Sequence, residues 1–498
     1  SSYAITAIAA GPDGQMWLHS TYDFFSFKWS PSWLRGQLRR DTNGDCLPTA
    51  PEPPLPRWIA RAISASGEKS YSITKPDGQY ELNLDSGAYT VQLFPPASVW
   101  GDCDGIETVN LGQASADTID FAGESLSDCP LMNIELDVPF LRRCFSARYQ
   151  LRYCNFGTAA ASQAIVDLDI PPELEVQALS LPYDVLSPGK IRVALGDVAE
   201  GICGSFTLDV LPACDAQLSA SVCVQAHISP DTLCQGSPGW SGADLHASAE
   251  CTSDTVYFLL QNKGFGDMIQ ALDYVIIEDE VIMRIAPVQI PAGDSITIAF
   301  PVSSSYQRIQ LPQEPGHPYP GLVSAAVEAC NGQPFSSFVA QYPFDNPSPF
   351  YTQTCAVIKG SFDPNDKSAT PEGVKAEHYI WPRTELDYKI RFQNTGNDTA
   401  FTVVIRDTLP DWLDVATFRS GASSHAYEWD ISGPGILTFV FDNIMLPDSN
   451  VNEVASHGFV RFRIQPKDTI ALGTRIENRA GIYFDFNEPV ITNTVFHT

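Results

Sequence analysis

Leu386-Asp-Tyr388-Lys-Ile390-Arg-Phe392-Gln-Asn394-Thr-Gly396 alternates apolar and polar residues and then stops on an Asn-x-Gly turn. A period of two marks a strand with one buried face. Asn and Gly both tolerate the left-handed backbone that tight turns use, so this ending suits a turn needing positive φ. The same ending recurs at Tyr153-Cys-Asn155-Phe-Gly157 and Leu260-Gln-Asn262-Lys-Gly264, which spaces the three asparagines 107 and 132 residues apart. Each interval is about one β-sandwich long. Two of the units continue alike beyond the turn, with an alternating strand and then Pro172-Glu-Leu174 or Pro410-Asp-Trp-Leu413. All three close on a late strand, at Ser205–Val210, Ser295–Phe300 and Gly458–Ile464. Nearer the N-terminus, Tyr80, Leu82, Leu84 and Tyr89, Val91, Leu93 alternate on either side of Asp85-Ser-Gly87, which reads as a hairpin. No long stretch repeats its apolar residues every 3.6 positions. The fold class is all-β, built of β-sandwiches in tandem.

Composition narrows the function. The 498 residues carry 30 Lys and Arg against 59 Asp and Glu, a formal charge of −29. Such a field repels phosphate backbones and anionic lipid, so no nucleic-acid partner is expected. Charged residues are only 18% of the chain while 44% is hydrophobic, enough for real cores. No apolar run approaches the roughly 18–20 residues of a transmembrane helix, so no transmembrane segment is expected. Twelve cysteines, none in a CxxC pair, all fall before residue 356. Together with few Met they indicate disulfides and an oxidising, extracellular or cell-surface location. The last domain then stands on its hydrophobic core alone.

From Gly360-Ser-Phe-Asp-Pro-Asn-Asp-Lys367 onward the chain runs through Phe392–Phe401, Asp407-Thr-Leu-Pro410, Ser423-Ser-His425, Leu446-Pro-Asp-Ser449, Ser456–Phe462 and Asn478–Thr494. This dense series resembles the immunoglobulin-like repeat near the C-terminus of large surface proteins of Bacteroidota. The resemblance implies type IX secretion, through a C-terminal sorting domain that is not present in this chain. A second resemblance rests on Gly36–Asp45, Glu52-Pro-Pro-Leu55, Asp77-Gly-Gln-Tyr80 and Gly87-Ala-Tyr-Thr-Val91. These are similar to the B-type, serine-aspartate repeat protein-like domains of Gram-positive adhesins. Ile5-Thr-Ala-Ile8, Pro12–Trp17 and Phe24-Phe-Ser-Phe27 are similar to one blade of a sensor-type β-propeller, with an N-terminal hairpin as the alternative. The expected organisation is therefore 1–32 as blade or hairpin, 33–125 as B-type sandwich, 126–232 and 233–358 as immunoglobulin-like sandwiches, and 359–498 as the C-terminal repeat.

The sharpest chemical signal is Asp41-Thr-Asn43-Gly-Asp45-Cys-Leu47-Pro-Thr-Ala-Pro-Glu52. Side-chain oxygens at relative positions 1, 3, 5 and 12, with a backbone carbonyl at 7, form the ligand pattern of a hard cation. Three carboxylates within twelve residues repel one another unless neutralised. Asp41, Asn43, Asp45, Leu47 and Glu52 are thus the candidate ligands of a structural Ca²⁺, as the adhesin resemblance also implies. Asp102 and Asp104 would join them if Cys46 paired with Cys103. Asp363-Pro-Asn365-Asp366, with Asp485, Asn487 and Glu488, offers a weaker acidic cluster, read as a turn with surface acids. No nucleophile elbow, HExxH or phosphate loop is present, and the eight histidines are dispersed. His425 and His457 each follow a serine, but strand neighbours point to opposite faces, and no catalytic residue is assigned. Trp240 reads as a plug at the end of a sandwich.

The expected function is that of an extracellular stalk or adhesin segment of a type IX-secreted surface protein, a rod stiffened by calcium and disulfides. Other surface proteins or glycans are its candidate partners, besides the type IX secretion machinery. The alternatives are a glycan- or protein-binding module acting through sandwich loops, or the non-catalytic C-terminal half of a secreted hydrolase.

Overall fold

The alternating segments all become strands. In the computed structural model Leu386–Gln393 buries Leu386, Tyr388, Ile390 and Phe392 completely, and it turns Asp387, Lys389 and Arg391 to the other face. The structure describes the chain apart from residues 1–4, 11–14, 21–23, 29–31, 217–220, 235–238, 253, 320, 333–337, 344–347 and 359–364. Among the described residues, regular structure is strand throughout except for three short 3-10 turns. No helix is long and apolar enough to cross a membrane. The chain divides into two units, residues 1–126 with 430–437 and residues 127–429 with 438–498.

The first unit opens on a three-stranded antiparallel sheet, Ile5–Ala10, Gln15–Ser20 and Phe24–Lys28. A sandwich comes next. One sheet orders Ile106–Leu111, Gly87–Phe94, Ile59–Ser64 and Lys69–Ile73; the other centres on Ser32–Arg40, flanked by Gln79–Leu84 and Phe121–Ser125. Leu34, Leu38, Trp58, Leu82, Leu93 and Phe121 fill the space between them. The expected hairpin around Asp85-Ser-Gly87 is absent. Gln79–Leu84 pairs with Ser32–Arg40, whereas Gly87–Phe94 pairs with Ile59–Ser64, in the opposite sheet. Alternation records which face of a strand is buried; it does not record which strand lies beside it.

Three more sandwiches follow one strand order, the middle one with two strands fewer. In the first of them Met132–Asp137, Ala147–Asn155, Cys203–Pro212 and Leu174–Leu179 face Tyr183–Ser187, Lys190–Val198, Ala161–Asp169, Ser221–Ser229 and Tyr351–Val357. In the last, Asp366–Thr370, Leu386–Gln393, His457–Pro466 and Leu413–Ser423 face Glu428–Ser432, Ile436–Phe441, Val403–Thr408, Ala480–Phe484 and Val490–Ile491. The middle one keeps Leu245–Cys251, Thr255–Asn262 and Ser295–Pro301 opposite Val281–Val288, Leu272–Glu278, Tyr306–Pro312 and Leu322–Glu328. Each late strand of the sequence reading lies beside the strand that carries the asparagine. One strand departs from the 233–358 span. Tyr351–Val357 adds to Ser221–Ser229 of the preceding sandwich, fixed there by the Cys223–Cys355 disulfide between directly opposed residues. The middle sandwich is therefore an excursion between two neighbouring strands of the one before it.

The three asparagines do more than turn the chain. Asn262 accepts the N–H groups of Gly264 and Asp244 at 3.0 Å and donates to the carbonyls of Gly266 and Ile290 at 2.9 and 3.0 Å. Asn155 accepts from Gly157 and donates to Ala159 and Val198; Asn394 accepts from Gly396 and donates to Asp398 and Leu446. All three side chains are buried. Neither the asparagines nor Gly157, Gly264 and Gly396 adopt positive φ, contrary to the turn inferred from sequence. Glycine is required at 157 and 264 for space: a Cβ would overlap the Cys129 carbonyl and Leu131 amide, or the Gly242 carbonyl and Asp244 amide. Each asparagine thus clamps two loops to the end of its strand. Asn262→Ala removes four hydrogen bonds to backbone groups of two loops and should cost roughly 2–4 kcal/mol. Exposed Asn397→Ala, in the equivalent turn of the last sandwich, should cost nothing measurable; denaturant midpoints of the two variants check this.

Candidate functional site

The polar faces of two sandwiches meet in the second unit. Met132–Asp137 sends Leu136 into its own core and presents Glu135 and Asp137 on the other face. From the last sandwich come Asp387, Lys389 and Arg391 of one strand and Arg461 and Arg463 of its neighbour, residues 387 and 463 standing opposite each other in register. Arg461 Nε donates to Asp387 Oδ1 at 2.6 Å, and its Nη1 donates to the Leu136 carbonyl at 2.7 Å. Arg463 bridges Asp387 at 2.9 Å and Glu135 at 3.0 Å. Lys389 Nζ lies 2.6 Å from Asp137, which is fully buried, and Arg391 donates to the Pro139 carbonyl at 3.0 Å. Gln150 and Arg152 of the earlier sandwich donate to the carbonyls of Ser424 and Ser420.

Electrostatics decide the charge states here. Burial alone would raise the Asp387 carboxyl, but Arg461 and Arg463 outweigh it and hold the group below the usual carboxylate range. Burial likewise works against the Arg461 cation, yet Asp387 and Asp137 keep it charged. For Glu135 burial wins and the carboxyl is pushed up. Removing water from so many charges is costly, and the arrangement holds only because each cation meets a carboxylate or a carbonyl. Its chemistry is that of a lock: it fixes one sandwich against another.

The acidic loop lies in the first unit. Asp41 accepts N–H groups from Asn43, Gly44 and Cys46 at 2.7–3.1 Å, and Asp45 accepts the Leu47 N–H at 2.8 Å. Asn43 Nδ2 donates to Asp45 at 2.9 Å, and the Leu47 carbonyl accepts the Thr49 N–H. Burial works to raise the Asp41 carboxyl, but the backbone donors together outweigh it and hold the group down. Asp41, Asn43 and Asp45 thus share one turn. Glu52 is buried and accepts from the amides of Thr42 and Thr49, so it clasps the loop. Cys46 does bond Cys103, which brings Asp104 near, but Asp104 accepts the Ala122 N–H. Burial, with Asp104 and Glu107 nearby, pushes the Asp102 carboxyl up to about 6. A carboxylate oxygen has lone pairs for both an amide and a cation, so Asp41, Asn43 and Asp45 suit a calcium ion as donors. On their own they fall short of the six to eight oxygens it takes.

Other candidates dissolve or change. Asp363 lies outside the described residues; Asp366 pairs with Arg391, and Asp485 accepts the Phe401 and Thr402 amides, so the second acidic cluster does not assemble around them. Trp240 closes its sandwich end against Phe265 and His317. Three of the dispersed histidines gather: His246 and His317 both meet Asp244, and His227 stacks on Tyr351, whose ring His246 also meets edge-on. Ser424 Oγ lies 2.8 Å from His425 Nδ1, against the opposite-faces argument, because both residues sit beyond the end of the Leu413–Ser423 strand. The same Oγ accepts the Phe459 N–H, and its partner ring is kept neutral by burial. The pair joins the turn to the strand beside it.

A family described as a domain of unknown function, DUF7619, matches residues 363–498. No curated protein matches. Among solved structures the chain is similar to the full-length RrgB pilus protein of Streptococcus pneumoniae, at 8% identity, 93% of each chain and a TM-score of 0.24. It is similar to the minor pilin GBS52 of Streptococcus agalactiae at 13% identity and a TM-score of 0.17, over 23% of this chain and 61% of that one. A DUF3823 family protein of Bacteroides ovatus is similar at 9% identity and a TM-score of 0.16, over 40% of this chain and 90% of that one.

Arg461→Met should destabilise the last sandwich by about 2–4 kcal/mol, because it leaves the buried Asp387 with Arg463 alone and takes a charged donor from the Leu136 carbonyl. Surface Arg475→Met, an exposed pair with Glu477, should stay within about 1 kcal/mol. Urea unfolding of both variants makes the comparison.

Proposed function

We propose that this chain is a load-bearing segment, stalk or adhesin, of a type IX-secreted cell-surface protein. The observation that carries the reading is the buried charged interface. It locks together two sandwich faces that a solvated string would leave in water, and so removes a hinge. Disulfides support the extracellular location: all twelve cysteines pair, as 46–103, 129–234, 144–214, 154–203, 223–355 and 251–330. Other surface proteins or glycans would be the partners, and export would use the type IX machinery through a sorting domain outside these residues. Calcium, held by Asp41, Asn43, Asp45, the Leu47 carbonyl and Glu52, would tighten the first unit.

Two experiments test this. Antibody against residues 366–498 should label intact, unpermeabilised cells of the source bacterium, and peptide mapping of the native protein should reveal sorting-domain sequence in its precursor; purely intracellular protein overturns the proposal. For calcium, EDTA should lower the melting temperature of the first unit, and Asp41→Ala with Asp45→Ala should abolish that difference. A melt indifferent to EDTA removes the ion from the account.

A further inference from the structure

Lys367, Asp407 and Asn478 come from three separate strands and meet inside the last sandwich. Lys367 lies on Asp366–Thr370, Asp407 on Val403–Thr408 of the facing sheet, and Asn478 ends Ile476–Asn478. They are 1%, 0% and 3% exposed. Lys367 Nζ contacts Asp407 Oδ2 and stands 4.5 Å from the centre of the Tyr388 ring and 5.5 Å from that of Phe462. Asp407 pairs in register with Ala480, two residues beyond Asn478. The Asn478 amide adjoins both the Asp407 carboxyl and the Tyr388 hydroxyl. Yet neither Asn478 Oδ1 nor Nδ2 completes a hydrogen bond, and neither do Asp407 Oδ1 and Tyr388 Oη.

As a structural device this is poor. Asn155, Asn262 and Asn394 show what a buried asparagine does in this chain when its task is to hold loops: its oxygen and its nitrogen are both used. An amide satisfied at neither end, beside a lysine sealed among aromatic rings, costs stability without return. As a set of reagents it is complete. Lys367 Nζ touches the Asp407 carboxyl with both groups sealed from solvent, and burial pushes the amine down and the carboxyl up, which favours the neutral amine and the carboxylic acid. A neutral amine is a nucleophile, the side-chain amide is its electrophile, the acid touches the amine, and water is excluded.

We propose that Lys367 and Asn478 become joined by an intramolecular amide bond, with Asp407 transferring the proton. The Nζ lone pair attacks Asn478 Cγ while Asp407 donates its proton to Oδ1. Asp407 then takes a proton from Nζ, the carbonyl re-forms, and the bond from Cγ to Nδ2 breaks. The Oδ1 proton and the one on Asp407 are redistributed so that Nδ2 leaves as ammonia and Asp407 ends protonated as it began. One amine and one primary amide give one secondary amide and one ammonia, with no oxidant or cofactor. The link ties the first strand of the sandwich to a strand near its end. This inference does not depend on the surface location proposed above.

Intact mass spectrometry of the purified full chain, with its disulfides reduced, tests it. The chain should be lighter than its sequence mass by one ammonia. Trypsin should fail to cut after Lys367 and should release a branched peptide containing Lys367 and Asn478. Asp407→Ala and Lys367→Arg should restore the full sequence mass. The wild-type measurement stands even if those variants do not fold. A folded wild-type chain at its full sequence mass overturns the proposal, as does an ammonia loss that maps to Asn478 without Lys367, or to another residue.

Discussion

Arg461 is the side chain on which the second unit turns. It reaches from the outer face of the last sandwich to a carboxylate of its own sheet and to the Leu136 carbonyl of another sandwich, 325 residues away in sequence. A guanidinium can do this because its donors lie in one plane and point in several directions at once, which an ammonium cannot match. Thr354 Oγ1 donates to the same Leu136 carbonyl, so the interface also touches the strand that returns from the middle sandwich. The first and last of the three sandwiches thus meet at one small polar region. Hydrophobic contacts alone would hold two sheets together over a range of angles; charge-assisted hydrogen bonds to fixed carbonyls permit one.

The same logic of local closure appears in the repeat. One asparagine per sandwich takes the place of a longer turn by satisfying backbone groups from two loops, and the flanking glycine lets those loops approach. Chains that differ almost everywhere between the three units thus keep one strand order, because the clamp ends the strand at the same structural point each time. The middle unit tolerates its position between Ser221–Ser229 and Tyr351–Val357 because those strands are directly stapled at Cys223–Cys355. A cross-link at an opposed strand pair makes the long excursion independent of the sheet it leaves.

Much of this was legible in the sequence. Alternation at Leu386–Phe392, the three Asn-x-Gly endings and the late strands report the sandwiches, since each depends on a few adjacent residues. The Cys46–Cys103 pairing and the placement of Asp41, Asn43 and Asp45 in one turn were also within reach. Glu52 was singled out by spacing, and spacing does not show that it also accepts the Thr42 and Thr49 amides. The charged interface was invisible for a physical reason. Asp387, Lys389, Arg461 and Arg463 occupy the polar phase of alternating strands, and a polar phase looks the same whether it faces water or another sandwich. Lys367, Asp407 and Asn478 were hidden differently: each falls in the buried phase of its own strand, and only the packing of three strands from three sheets brings them together.

Cross-links divide the labour along the chain. The four sandwiches differ in how they resist being pulled apart, and the difference tracks the position of the cysteines. Three of them carry disulfides, and the last has none, because no cysteine lies beyond Cys355. That last sandwich supplies Arg461, Arg463 and Lys389 to the interface, so unravelling it would release the interface as well. Its first strand, Asp366–Thr370, is a sheet edge held by a single neighbour, Leu386–Gln393. An edge strand peels at the cost of a few hydrogen bonds, one at a time, unless something anchors it from the other side of the core. Lys367 reaches from that strand into the core and ends on the acid of the opposite sheet, beside the amide that ends Ile476–Asn478. The polar contact in the heart of this core thus anchors the edge strand from its far side.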